Sequence, residues 1–179
     1  MSIPAGTGPL HAITVLGHDR PGIIAETTGR LADLGLNLED STMTLLRGHF
    51  AMMLLCAGPV EVAAIESALQ PLTTDGSLTV TVRDVPQEDA AAPAGTSWVL
   101  TVHGGDRPGI VSSVVARVAA VGGNITDLTT RLAGDLYLLV AEIDLPADVD
   151  VAAVDQAIHS AAAELGVGAT LRPAEADEL

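Results

Sequence analysis

Along this chain the apolar positions change their spacing in a fixed order, and the order occurs twice. A β-rich run, Ala12 to Leu16, comes first. Ile23, Ile24, Thr27, Leu31 and Leu34 then fall at helical spacing, and Gly35 stops that helix. Leu38 to Leu46 follows as a strand, turning at Arg47-Gly48-His49 into Phe50 to Cys56. Val62, Ile65, Leu69 and Leu72 mark a second helix, and alternating Leu78, Val80 and Val82 mark a last strand. The second round repeats this order. A strand, Val99 to His103, precedes a helix marked by Ile110, Val111, Val114, Val118 and Val121 and stopped by Gly122. A hairpin then runs from Ile125 to Leu132 through Ala133-Gly134-Asp135 into Leu136 to Ile143. Val151, Val154, Ile158 and Leu165 mark another helix, and Val167, Ala169 and Leu171 a final strand.

The two rounds are copies. With an offset of 87 residues, His11 to Leu54 aligns without a gap on Trp98 to Ala141, giving 15 identities over 44 positions. Ordinary residue frequencies give roughly three. The order β-α-β-β-α-β with right-handed crossovers predicts an α+β chain of two ferredoxin-like units. Each is a four-stranded antiparallel sheet with both helices on one face. The units are expected at residues 10–85 and 98–173, joined by a polar, Pro- and Ala-rich linker at 86–97. The uncovered face of each sheet is expected to be apolar and to need a neighbour, and the acidic tail from Pro173 to Leu179 to be frayed.

Composition narrows the function. The formal net charge is −15, and all eight basic residues are arginine. Such a chain repels a phosphate backbone, so neither direct nucleic-acid binding nor docking on an anionic membrane is expected. Without lysine there is no Schiff base and no phosphate-loop lysine. The aromatic set is Phe50, Trp98 and Tyr137, too few to stack nucleobases. The lone cysteine, Cys56, sits in an apolar run and reads as a core residue. With no signal-peptide pattern at the start and no apolar run near the roughly 20 residues of a membrane span, a soluble cytoplasmic protein is expected. His11, His18, His49, His103 and His159 pair with no Cys, Asp or Glu at metal-ligand spacing, so no metal or other cofactor is expected. No catalytic motif is visible.

The candidate chemistry lies in the duplicated loop Asp-Arg-Pro-Gly-Ile, residues Asp19, Arg20, Pro21, Gly22 and Ile23, and again Asp106, Arg107, Pro108, Gly109 and Ile110. It joins a strand to a helix N-terminus, where free backbone N–H groups and a positive partial charge can hold a small carboxylate. Pro21 and Pro108 are expected to preset the first helical turn. Gly22 and Gly109 leave the backbone approachable. An aspartate here can bond an ammonium group and an arginine can fork onto a carboxylate, so the pair suits a zwitterionic amino acid. The alternative is that the aspartates only cap their helices. Asn37 and Asn124, after the helix-stopping glycines, either support a left-handed turn or line the same cleft. Asp40 and Asp127 are either solvated or further ligand contacts.

Two copies of strand, Asp-Arg-Pro-Gly-Ile, helix and Gly-x-Asn resemble ACT domains over nearly the whole chain. The pattern is similar to the branch found in the glycine cleavage system transcriptional repressor and in the N-terminal domains of phosphoserine phosphatases and formyltetrahydrofolate deformylases. Those enzymes continue into a catalytic domain where this chain ends, so a stand-alone, non-catalytic tandem regulator is the expectation. The resemblance implies sensing of small amino acids, of glycine or serine type, at an interface between ACT units. The ligand loops would be Gly17, His18 and the residues to Ile23, and Gly104 to Ile110, with Asn37 and Asn124 opposite. It also implies side-by-side sheets in a homodimer and action through a protein partner, in transcriptional regulation of amino acid or one-carbon metabolism or as a detached subunit of an enzyme such as a phosphoserine phosphatase. A ligand-free oligomerisation module remains the plainer alternative. One departure stands out: His18 is matched by Gly105.

Overall fold

A computed structural model describes residues 8–87 and 95–174. The chain divides into two compact units, Met1–Asp89 and Ala90–Leu179. Unit 1 runs β1 (Leu10–His18), α1 (Ile23–Asp33), β2 (Asn37–Leu46), β3 (His49–Ala57), α2 (Val62–Leu69), a short 3₁₀ turn (Gln70–Thr73) and β4 (Leu78–Val85). Unit 2 runs β5 (Gly95–Gly105), α3 (Ile110–Ala120), β6 (Asn124–Ala133), β7 (Leu136–Pro146), α4 (Val151–Glu164) and β8 (Val167–Pro173). The sheets are antiparallel, in the orders β2-β3-β1-β4 and β6-β7-β5-β8. This is the ferredoxin-like arrangement, twice.

Several boundaries move. His49 pairs with Leu46, so the first hairpin turns on Arg47-Gly48 alone. Ala133 pairs with Leu136, leaving Gly134-Asp135 as the second turn. The fifth strand starts at Gly95, inside the segment read as linker. The rest of that segment from 88, and the tail from 175, lie outside the described residues.

Alternation along the strands explains each core. His11, Ile13 and Val15 on β1 and Phe50, Met52, Leu54 and Cys56 on β3 all point to the helices and are buried. α1 meets them with Ile23, Thr27 and Leu31, α2 with Ile65 and Leu69. Ile24, counted on the same stripe, is exposed, because it lies toward the β2 edge beside the buried row. In unit 2, Leu100, Val102, Leu139, Ala141 and Ile143 face Ile110, Val114, Val118, Val154 and Ile158. Burial pushes the Cys56 thiol pKa up, as befits a core residue.

The uncovered face of unit 1 mixes threonines with apolar side chains. Thr14, Thr42, Thr44, Thr79 and Thr81 pair across it among Ala12, Leu16, Leu46, Ala51, Met53 and Leu55, of which Leu16, Leu46 and Met53 are exposed. Threonine keeps β propensity while offering water a hydroxyl, so this face tolerates solvent better than an all-aliphatic one.

The copies differ inside the core at one telling position. Thr27 is fully buried and its hydroxyl has no hydrogen-bond partner. Val114 stands at the matching place in unit 2. An unpartnered buried hydroxyl is a net cost, and valine keeps the shape without it. Thr27→Val is therefore expected to stabilise the protein by about 1 kcal/mol in urea unfolding.

Candidate functional site

Each loop begins where a strand presses against its neighbour. His18 N–H donates to the Ser77 carbonyl at 3.0 Å. A Cβ on Gly17 would lie 2.0 Å from that same oxygen, and one on Gly104 would lie 2.7 Å from Val167 Cγ1. Only glycine passes. The loops are also tied to the hairpin tips: Asp19 N–H donates to Gly48 O at 3.0 Å, and Asp106 N–H to Asp135 O at 3.3 Å.

Beyond the ties, each loop makes a turn that ends in a left-handed glycine, Gly22 at φ 90° and Gly109 at φ 92°. These glycines are the N-caps of α1 and α3, and no side chain caps either helix. Asp19 and Asp106 are thus not caps. An aspartate in that role is seen at α4, where the Asp150 carboxylate accepts from the N–H groups of Ala152 and Ala153. Pro21 and Pro108 also differ from expectation. They lie one residue before the N-cap, in the turn, and not in the first helical turn.

A hollow opens at each uncapped helix start. In unit 1 it is about 400 Å³, walled by Asp19, Arg20, Gly22, Ile23 and Met43, with Phe50 beneath. In unit 2 it is about 450 Å³, walled by Asp106, Arg107, Gly109, Ile110 and Ser112, with Tyr137 at the matching place. A larger hollow, about 500 Å³, lies between α1 and β2. Its wall is Leu31, Leu36, Leu38 and Leu54 with Thr28 and Cys56, and no charged group lines it. A zwitterion has nothing to pair with there.

The structure does not bring the asparagines to the loops. Asn37 pairs with Ala57, which pairs with Leu10, whereas the loop leaves β1 after Gly17. Seven residues of strand separate those rows, roughly 23 Å. Asn124 is placed the same way, across from Asp144 and Ser97. The second strand does start beside the end of the first helix, but that is the end opposite the hollow. Within one unit neither asparagine can line the site. Asp40 is occupied locally, its carboxylate accepting from Ser41 N–H at 2.8 Å beside a bulge.

His18 stacks on His49 with ring centroids 5.3 Å apart, on the uncovered side of the loop end. Stacked rings do not converge their nitrogens on one ion. Among the described residues no cluster of three His, Cys, Asp or Glu side chains is placed to hold a metal. His11, which the sequence marks only as a histidine at no metal-ligand spacing, has a structural place. It is buried, with Nδ1 2.7 Å from Asp84 Oδ1 and Nε2 3.1 Å from Gly58 O. Its role is to clamp β1, β4 and the turn after β3.

A pair of glycine-capped helix starts, duplicated with the loop sequence intact, is the feature against which relatives can be judged. The ACT domain profile matches residues 12–83 and 96–171. The chain belongs to the ACT domain family. It is similar to the glycine cleavage system transcriptional repressor of Escherichia coli strain K12, 28% identical over 161 residues that cover 86% of this chain and 84% of that one. Among solved structures, an unknown protein from Galdieria sulphuraria superposes with a TM-score of 0.79 at 28% identity, covering 93% of this chain and 98% of that chain. A structure assigned provisionally as a glycine cleavage system transcriptional repressor superposes at 0.71 with 18% identity, covering 92% and 96%, and shows the shared fold. This tandem ACT chain is therefore homologous, over both of its units, to a regulatory protein. Among the described residues no helix is long and apolar enough to cross a membrane.

Proposed function

We propose that this tandem ACT protein is a non-catalytic sensor of a small amino acid, of glycine or serine type, that acts in the cytoplasm through a protein partner. The observation that carries the reading is the helix start left open twice. A left-handed glycine replaces a capping side chain, and an aspartate and an arginine stand beside it. Free N–H groups and the positive helix end suit a carboxylate, and the loop aspartate suits the ammonium group. Similarity to a transcriptional repressor supports a regulatory output, and a net charge of −15 favours a protein as the listener over DNA. Control of amino acid or one-carbon metabolism is the matching context.

A homodimer belongs to the same reading. Every residue of β2 is exposed, including Leu38, Met43, Leu45 and Leu46, and Ser41 to Leu46 carries no charge. The opposite edge, β4, carries Arg83 and Asp84. Beyond Glu39 and Asp40 the edge is uncharged, and that stretch invites pairing with a second copy, while a charged edge resists it.

Calorimetric titration with each of the twenty amino acids tests the reading, with sedimentation velocity on the same samples to count chains. Saturable heat is expected for glycine or serine. Heat with none of the twenty would leave a ligand-free oligomerisation module. Tight co-purification with an amino acid enzyme, and no transcriptional partner, would favour the detached-subunit reading.

A further inference from the structure

The two hollows are built on the same loop, each with an aspartate and an arginine, yet they differ in the charge left free for a carboxylate. In unit 1, Arg20 Nη2 donates to Glu26 Oε2 at 3.3 Å. Glu26 is held from the other side by Arg30, whose Nη2 and Nε lie 3.0 and 3.4 Å from Oε1. Arg30 is anchored in turn by donating to the Ala68 carbonyl at 3.3 Å. The hydrogen bonds from Arg30 and then Arg20 hold the Glu26 carboxyl below the usual glutamate range, so it is an anion under ordinary conditions. Glu26 also lies in the first turn of α1, where its charge offsets the positive helix end. Unit 1 therefore already contains, one turn from its hollow, the carboxylate that its arginine and its helix dipole would otherwise offer to a ligand.

Unit 2 lacks that carboxylate. Ser113 stands where unit 1 has Glu26, and the first turn of α3 holds no acidic residue. Arg107 has no hydrogen-bond or ion-pair partner among the described residues. The lining is more polar as well: Ser112 replaces Ala25 and Tyr137 replaces Phe50. An incoming carboxylate meets an uncommitted guanidinium and an uncompensated helix end in unit 2. In unit 1 it meets a committed arginine and a like charge.

Resting on the sensing reading above, we infer that the ligand's carboxylate is taken by the unit 2 hollow at Arg107 and the start of α3, and that Glu26 keeps the unit 1 hollow closed to it. The chain is then a one-site sensor, with unit 1 as a retained copy whose loop is self-satisfied. Position 26 in one copy and 113 in the other is the residue that decides which hollow binds.

The test uses the full chain labelled with ¹⁵N, titrated with glycine and, separately, with L-serine, following backbone amides. Amides of residues 110–112 are expected to shift saturably while those of residues 23–25 stay within a small fraction of that change. Ser113→Glu places a carboxylate four residues before Arg117, as Glu26 stands before Arg30, and is expected to weaken binding by about tenfold or more. Glu26→Ser is expected to bring the amides of residues 23–25 into the titration as a second site. Both changes are at half-buried helix positions, and an unchanged amide spectrum away from α1 and α3 verifies the fold. Equal shifts at both loops in the unaltered chain would overturn the inference while leaving amino acid sensing intact. So would shifts confined to residues 23–25, or a Ser113→Glu chain that binds as before. No shift with glycine or with L-serine would remove the glycine- or serine-sensing reading and this inference together.

Discussion

Gly17→Ala is expected to unfold or severely destabilise unit 1, by about 3 kcal/mol or more. The added methyl would sit 2.0 Å from the Ser77 carbonyl oxygen, and that oxygen is backbone, fixed by accepting from His18 N–H. Relief requires β1 and β4 to separate at the point where the loop is launched. Gly104→Ala is the internal control. Its new methyl would meet Val167, whose side-chain Cγ1 lies 2.7 Å away and can partly yield, although Val167 Cα at 3.0 Å cannot. The expected cost is lower, about 1 to 2 kcal/mol. Urea unfolding followed by far-ultraviolet ellipticity gives the ordering, and the single tryptophan, Trp98, reports unit 2 by fluorescence. A Gly17→Ala chain as stable as the parent would mean that the close approach at Gly17 is not a constraint.

His11→Ala should cost about 2 to 4 kcal/mol, from a buried cavity together with a carbonyl stripped of its donor. The ring is 1% exposed, and both nitrogens face acceptors, the Asp84 carboxylate and the buried Gly58 carbonyl. Asp84, whose side chain is largely exposed, can return to water when the ring is removed, but the Gly58 carbonyl cannot. His11→Gln retains a side-chain N–H and should recover part of the loss. At the matching place unit 2 carries Trp98, whose Nε1–H donates to Thr96 Oγ1 at 2.8 Å on its own strand, a bond that does not tie β5 to a neighbour. Equilibrium unfolding of both variants checks the order alanine, then glutamine, then the unaltered chain. A His11→Ala chain as stable as the parent would mean that the clamp contributes nothing.

What could be read from the chain alone, and what could not, follows from the range of the interactions involved. The βαββαβ order was legible because period and punctuation are local: Ile110, Val114 and Val118 sit on one helical stripe whatever surrounds them, and all three are buried. The loops were legible because they are duplicated. The meaning of Asn37 was not, since its distance from the loop depends on antiparallel register across β3, set by pairing with residues about 20 positions away. His11 was silent for a similar reason, its partner Asp84 lying 73 residues on. The caps misled in a different way. Asp19 and Pro21 carry the residue types of a helix start, but the left-handed Gly22 moves that start past them, so the helix opens onto space and not onto its own aspartate. The contrast between Arg20 and Arg107 was present in the sequence as Glu26 against Ser113, one helical turn downstream of the loop, and became visible only with the ion pair in place.

The most direct measurement of the central claim is a crystal structure of the full chain grown with glycine or L-serine. A carboxylate is expected against the backbone N–H groups at the start of α3, within reach of the Arg107 guanidinium, with the ammonium group toward Asp106. An amino acid found instead in the apolar groove between α1 and β2, or seated at Asn37 or Asn124 and away from both loops, would contradict it.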